Sequence, residues 1–440
     1  MLKPSKFNYL MYNDKNELLM FNTFSGCKSK ALPEQAKYFE DLLNKPEIIE
    51  SNALTEHLTE SGMLVKANVN EVLKVEAAFY DLQSQSILTL YILPTEQCNF
   101  NCIYCNEKFE RGKMNEEIQE GIISFIRRNI TSYTGVKVFW FGGEPLLEMD
   151  VISRLSVRIK EICKKAKRSY SAHITTNGYL LSYDSFCELL KNNVFVYQVT
   201  LDGFKESHDS LRPLANKEPT YDTIIHNLTE IKKKSKSGKF IINLRANFTK
   251  KMTPSIPHFL DWYNNVFDCD PRFCLYISIV ANLDGAKVEE LNDIVIKRRE
   301  DEIAFYGMIY ESAIKKINFA NHQHLRLGGC ICIFGIKNAF LIDAEGNIRK
   351  CSCHLSDDKQ NKLGKFLNTG AMVFDADIHM NWFVSQKSDK CKECTLLPIC
   401  MGHSCPYYYV VKGIPKCPPI DLDFMLKIMD RQGYFELISY

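Results

Sequence analysis

Residues 86–109 read SILTLYILPTEQCNFNCIYCNEKF. The first eight are an apolar run of strand length, suited to a strand buried on both faces. Cysteines follow at 98, 102 and 105, a C-x3-C-x2-C spacing in the loop after that strand. Closely spaced loop thiolates can wrap one iron–sulfur cubane. Three such ligands leave one iron without a local partner, as a catalytic zinc keeps one position free. Zinc is the competing metal, but its structural sites pair C-x2-C units and finish with four ligands, so a lone triad suits it poorly.

Outward from this loop the apolar runs recur at VKVFWF (136–141), SAHITTNG (171–178), VFVYQVTL (194–201), FIINLRANF (240–248) and CLYISIVA (274–281). Amphipathic stretches such as EEIQEGIISFIRRNI (116–130) and VISRLSVRIKEICKKAKR (151–168) separate most of them. Alternation of strand and helix predicts an α/β fold with a parallel sheet, open or curled into a partial barrel. The basic run at 232–239 reads as a solvated helix end and turn.

The chain has 440 residues, enough for two or three domains. Its net charge of +2 gives no reason to expect nucleic acid or an anionic membrane surface as a partner. The N-terminus lacks the apolar core of a secretory signal, and no stretch is apolar enough for a membrane helix. A cytoplasmic protein is expected. Its seventeen cysteines are then unlike disulfide partners, because that compartment keeps thiols reduced. They are also clustered, three between 98 and 105 and nine between 330 and 417, which points to bound metal.

The triad resembles the signature of the radical S-adenosylmethionine (SAM) superfamily, and further segments match in order along the same sheet. Gly142, Gly143, Glu144 and Pro145 resemble its GGEP motif, whose backbone and glutamate meet the amino group of SAM. The glycines suit a main chain that approaches a ligand closely. Thr176, Asn177 and Gly178 resemble the TNG segment. The stretches 198–203 and 208–213 resemble SLDG…HDxxR and supply Thr200 (in place of the usual serine), Asp202 and Arg212. Arg245 and Asn247 fall where the family often has an arginine and asparagine facing SAM. All lie at C-terminal strand ends, where parallel α/β sheets bind ligands. The resemblance implies a partial (β/α)6 TIM-like barrel, a [4Fe–4S] cluster on Cys98, Cys102 and Cys105, and reductive cleavage of SAM to a 5′-deoxyadenosyl radical, with flavodoxin or ferredoxin as electron donor.

Past residue 311 the pattern becomes irregular and cysteine-rich, a region expected to draw stability from metal. Cys332, Gly346 and Cys351, then CKECTLLPICMGHSCP (391–406) and Cys417, resemble the SPASM extension with its two auxiliary [4Fe–4S] clusters. The last gap of that segment is four residues where the family usually has three. By the resemblance Cys391, Cys394, Cys400 and Cys417 hold the outer cluster, and Cys332, Cys351 and Cys405 the inner one. Cys330 is the candidate fourth inner ligand; without it the inner cluster has an open iron. Cys353 is spare, and Cys27, Cys163, Cys187, Cys269 and Cys274 read as ordinary thiols.

Residues 1–85 contain a predicted hairpin, FNYLMYN and ELLMFNTF about Asp14-Lys15-Asn16. A helix opens at Pro33 with Ala36, Phe39, Leu42 and Leu43 at helical spacing. A second short helix ends at Gly62 before a strand. This winged-helix-like module resembles the RiPP recognition element, which captures the leader of a ribosomally made precursor peptide by strand addition. The predicted division is 1–85, 86–310 and 311–440. The resemblance implies a peptide maturase forming a thioether or carbon–carbon crosslink. The competing reading is an anaerobic sulfatase-maturing enzyme, against which stand the 97 residues before the triad and Ser352 where such enzymes carry an aspartate base. An iron–sulfur electron carrier would explain the cysteines but not the GGEP and TNG segments, and a zinc-stabilised binding protein would not explain the triad. The sequence names no general base.

Overall fold

The computed structural model describes residues 1–48, 51–84, 86–105, 107, 109–267, 269–280, 301, 305, 308–309, 317, 319–320, 324–355, 359–382, 388–413, 415–418 and 420–438. The expected boundary at 310/311 lies outside them. The chain packs as two compact units, one of Met1–Gln85, Asn321–Ile336 and Val384–Tyr440, the other of Ser86–Ala320 and Lys337–Phe383.

In the first unit a short strand β1 (Leu2–Pro4) precedes the hairpin strands β2 (Asn8–Tyr12) and β3 (Leu18–Asn22), and β4 (Lys28–Ala31) continues the antiparallel meander. The hairpin turn is held by Asn13, whose side-chain oxygen accepts from Lys15 N (2.9 Å) and Glu17 N (3.0 Å). Helix α1 (Pro33–Leu43) buries Ala36, Phe39, Leu42 and Leu43. Helix α2 (Ala53–Glu60) starts on an Asn52–Thr55 capping box, β5 (Leu64–Lys66) returns antiparallel to β1, and α3 (Glu71–Ser84) follows. Strand β3 is buried along its whole length, and its alternation decides the packing. Leu18 and Met20 join Phe39, Leu42, Leu58 and Leu64 on one face. Leu19 and Phe21 join Leu422, Met425, Leu426 and Met429 on the other. The N-terminal hairpin and the C-terminal helix Leu422–Arg431 therefore share a core. A final strand, Glu436–Leu437, pairs in parallel with β4.

The second unit is built on a ten-stranded sheet. Six parallel strands stand in sequence order: β6 (Ile87–Thr95), β7 (Gly135–Gly142), β8 (Ser169–Thr176), β9 (Val194–Thr200), β10 (Ile241–Phe248) and β11 (Phe273–Ile279). They coincide with the six apolar runs. Helices α4 (Glu116–Asn129), α5 (Met149–Lys165), α6 (Tyr183–Lys191), α7 (Lys205–Leu211), α8 (Tyr221–Lys234) and α9 (Ile256–Phe267) make the crossovers. In α4 the buried Ile118, Ile122, Ile123 and Ile126 form one stripe, and Asn115 caps its start on Ile118 N at 2.9 Å.

The cysteine-rich segment departs from its sequence expectation. Strand β12 (Ala339–Ile342) pairs in parallel with β6, and β13 (Asn347–Arg349), β14 (Lys362–Phe366) and β15 (Met372–Phe374) continue antiparallel from it. Every residue of β12 and β13 is buried. The residues of β12 and β13 thus belong to the buried interior of the second unit, which four-residue and three-residue strands are too short to announce in sequence. Among the described residues no helix is long and apolar enough to cross a membrane.

Candidate functional site

The ends of β6–β10 bring most of the sequence-derived site residues together around the loop of Cys98, Cys102 and Cys105. Gly142 (φ 120°) and Gly143 close on the start of that loop: a Cβ on Gly142 would lie 2.2 Å from Thr95 O, and one on Gly143 2.4 Å from Gln97 O. Glu144 N donates to Gln97 O at 2.9 Å. What these glycines approach in this structure is the backbone of the cysteine loop. Pro145 starts a 3₁₀ turn that Glu144 caps through Leu146 N at 3.0 Å.

The Glu144 carboxylate is fully buried and turns towards β8, accepting from Thr176 Oγ1 (2.8 Å) and Asn177 N (2.7 Å). Burial pushes it up to about 7, against the pull of the hydrogen bonds from Asn177, Leu146 and Thr176. It ties the GGEP and TNG segments to each other. Asn177 donates in turn to Asn99 Oδ1 at 2.8 Å, beside Cys98. Asn227 on α8 braces the same turn by donating to Gly178 O (3.0 Å) and Tyr179 O (2.9 Å).

Residues 211–215 run alongside the cysteine loop: Asn101 N reaches Pro213 O (2.9 Å), Ile103 N reaches Leu211 O (3.0 Å) and Ala215 N reaches Asn99 O (2.9 Å). This delivers Arg212 to the loop, where its guanidinium lies 5.6 Å from the Phe100 ring centre and donates to Tyr104 OH at 2.7 Å. The Tyr104 hydroxyl donates to Asp202, whose other oxygen accepts from Asn247 N (2.9 Å) and Nδ2 (3.0 Å). Arg245 Nε holds Asn247 Oδ1 at 2.9 Å, and Thr200 is the register neighbour of Arg245. His208 Nδ1 accepts from Asp202 N at 3.0 Å. The sequence did not single out Tyr104, Asn99 and Asn227 as members of this network, and it placed His208 only within the stretch that resembles HDxxR. An aromatic residue between two loop cysteines was the signal for Tyr104; nothing in the sequence marked Asn227.

The three cysteines are the donors an iron–sulfur cluster would need. Burial pushes Cys98 up to about 12 and Cys105 up to about 11, and raises Cys102. Each is near enough to another of the three for like-charge repulsion to add to that rise for Cys98 and Cys105. Phe100 N donates to Cys98 Sγ at 3.4 Å. Such thiols hold their protons as free groups and release them to a bound metal. Among the described residues no group of three or more His, Cys, Asp or Glu is gathered tightly enough for a single metal ion. The three thiols lie on one loop, near enough for Cys102 and Cys105 to act on Cys98, and thiolates so grouped are the donors an iron–sulfur cluster takes.

In the first unit, burial pushes Cys400 up to about 11, with Cys394, Cys391 and Cys417 adding to the rise. These are the four cysteines of the expected outer set. Cys330 N donates to Ile399 O at 3.0 Å, and Cys400 is the neighbour that adds to burial in raising its thiol to about 12. Cys332 N donates to His403 O at 3.1 Å, and Cys405 starts the helix Pro406–Lys412. Cys351 belongs to the second unit, where the fully buried Asn361 grips it: Asn361 Oδ1 accepts from Cys351 N (2.8 Å) and Nδ2 donates to Cys351 O (3.0 Å).

Residues 92–252 match the model of the Radical SAM superfamily. The serine-type anaerobic sulfatase-maturating enzyme of Bacteroides thetaiotaomicron is 23% identical over 70% of this chain and 80% of its own length. The cysteine-type enzyme of Clostridium novyi is 24% identical over 71% of this chain and 86% of its own. Among solved structures, native anSMEcpe with bound AdoMet and Cp18Cys peptide is similar in fold, with a TM-score of 0.57 and 17% identity over 78% of this chain and 96% of that one.

Proposed function

Taking as premise that the chain carries a radical SAM domain, we propose that it oxidatively modifies a ribosomally made precursor peptide, forming a thioether or carbon–carbon crosslink. The observation that carries the reading is the convergence of Glu144, Asn177, Asp202 and Arg212 on the loop of Cys98, Cys102 and Cys105. In this reading those three cysteines bind a [4Fe–4S] cluster. Gly142, Gly143, Glu144, Pro145, Thr176, Asn177, Gly178, Thr200, Asp202, Arg212, Arg245 and Asn247 form the SAM site. The cluster and SAM, when bound, supply a 5′-deoxyadenosyl radical that takes a hydrogen atom from the substrate. The chain's part is to hold these groups and to keep water from them. Cys391, Cys394, Cys400 and Cys417 are assigned to one auxiliary cluster. A flavodoxin or ferredoxin is the electron donor.

A peptide partner is supported by the edge of the first unit's sheet. Asn13 N and Thr23 N bond across the hairpin to Glu17 O and Phe7 O, so odd-numbered residues of β2 face β3 and the main-chain groups of Leu10 and Tyr12 point away from it. The same alternation turns Lys30 of β4 outward, and there Ile438 N already donates to Lys30 O at 2.9 Å. Within the described sheet β2 is the strand that ends it without a partner. An extended peptide can add there.

Sulfatase maturation is the second reading, favoured by the two named relatives. Anaerobic incubation of reconstituted protein with dithionite and SAM is expected to yield 5′-deoxyadenosine. Absence of that product overturns both readings. With a candidate precursor peptide present, loss of two hydrogens and a new crosslink in its fragmentation spectrum supports the first reading. Formylglycine in a sulfatase-derived peptide supports the second.

A further inference from the structure

Within the second unit, a buried ion network joins the first cysteine loop to the turn that leads into Cys351. Arg111 sits at its centre with 7% of its side chain exposed. Its Nη1 reaches Glu96 Oε2 at 3.1 Å, two residues before Cys98. Its Nε faces the β12–β13 turn, 3.4 Å from Glu345 Oε2 and 3.7 Å from Asp343 Oδ2. Asp343 is fully buried and organises that turn, accepting from Glu345 N (3.0 Å), Asn347 N (2.9 Å), Asn347 Nδ2 (2.8 Å) and Arg349 Nε (3.1 Å). Strand β13 then runs directly to Lys350 and Cys351.

We infer that Arg111 is a positioning residue that locks the loop of Cys98, Cys102 and Cys105 to the β12–β13 hairpin, so that two thiol-bearing segments far apart in sequence are ordered as one. A guanidinium can do this because its planar fork aims separate N–H groups at separate carboxylates, whereas an ammonium is one point charge. Burial makes the link close to all-or-none. Separating the segments would leave the buried Arg111 and Glu96 with fewer opposite charges around them, which is costly, while Asp343 would keep Arg349. The functional meaning rests on the radical SAM reading; the mechanical link does not.

Amide hydrogen exchange on the full-length protein without iron or SAM tests the link directly. Arg111→Gln is expected to speed exchange about tenfold in both 96–105 and 343–351, and Arg111→Lys to restore protection in part. Glu345→Gln alters a side chain that is 61% exposed and should leave folding intact. It is expected to speed exchange in both segments about two- to threefold. In reconstituted enzyme, Arg111→Gln should also raise the dissociation constant of SAM about tenfold, with partial rescue by Arg111→Lys. Faster exchange confined to one segment overturns the inference. Should Arg111→Gln fail to fold, unchanged exchange of 96–105 in Glu345→Gln overturns it instead. If the unaltered protein cleaves no SAM, the functional reading falls while the exchange result still decides the link.

Discussion

Replacing His208 by asparagine probes the network under Asp202 through its response to pH. His208 is fully buried on α7, and its Nδ1 accepts the Asp202 amide at 3.0 Å, which fixes the neutral ring with its proton on Nε2. Burial, with the nearby Arg212 charge, holds its pKa down at about 2. The unfolded chain, by contrast, protonates it near 6.5. The unfolded state therefore binds the extra proton as pH falls below 6.5, and this histidine's contribution to stability is lost progressively below that value. At pH 5 the loss is 1.5 units at about 1.4 kcal/mol each, or about 2 kcal/mol. Asparagine offers an oxygen to the Asp202 amide and does not titrate. Its cost at pH 7 is about 1–3 kcal/mol from lost volume. Urea titrations of both proteins at pH 7 and pH 5 measure the difference. The carboxyls of Glu96, Glu107 and Glu144, all raised by burial, act in the opposite direction but equally in both proteins, so they cancel. The His208→Asn protein should lose about 2 kcal/mol less than the parent between the two pH values. Equal losses would refute a buried neutral imidazole at this position.

Cys98→Ala should abolish SAM cleavage yet leave iron absorbance from the auxiliary sites; loss of all iron would show that the sites assemble together. Tyr104→Phe removes the hydroxyl shared by Asp202 and Arg212 and should cost about 2 kcal/mol by denaturant titration. A value near zero would mean the hydroxyl is not seated there. Tyr12→Pro takes an outward N–H from the β2 edge and should weaken precursor-peptide affinity, read by fluorescence anisotropy, while changing stability by less than about 1 kcal/mol. Unchanged affinity would sink the β2-edge reading. This point change is preferable to deleting residues 1–85, because the deletion would strip Leu19 and Phe21 from Leu422, Met425 and Leu426. Truncation after Phe435 should cost about 2 kcal/mol through the buried Ile438 and speed exchange in β4, measured by melts and hydrogen exchange.

The sequence by itself determined the parallel core, because six apolar runs separated by amphipathic stretches can bury their faces in few other ways. It also determined which chemistry is in reach, since the C-x3-C-x2-C spacing is local and survives in one dimension. Asn16 and Pro33 likewise announced a turn and a helix start by backbone preference alone. Partners distant in the chain were decided only by tertiary structure. The sequence marked Glu144 through its motif, but not that its buried carboxylate accepts from Leu146 N, Thr176 Oγ1 and Asn177 N, contacts set by which donors surround it. Tyr104 and Arg111 take their partners from residues far away in sequence, and no periodicity records a hydrogen bond of that kind. The short strands β12 and β13 were invisible for the same reason: their burial comes from pairing with β6, and three or four residues carry too little pattern to reveal a neighbour.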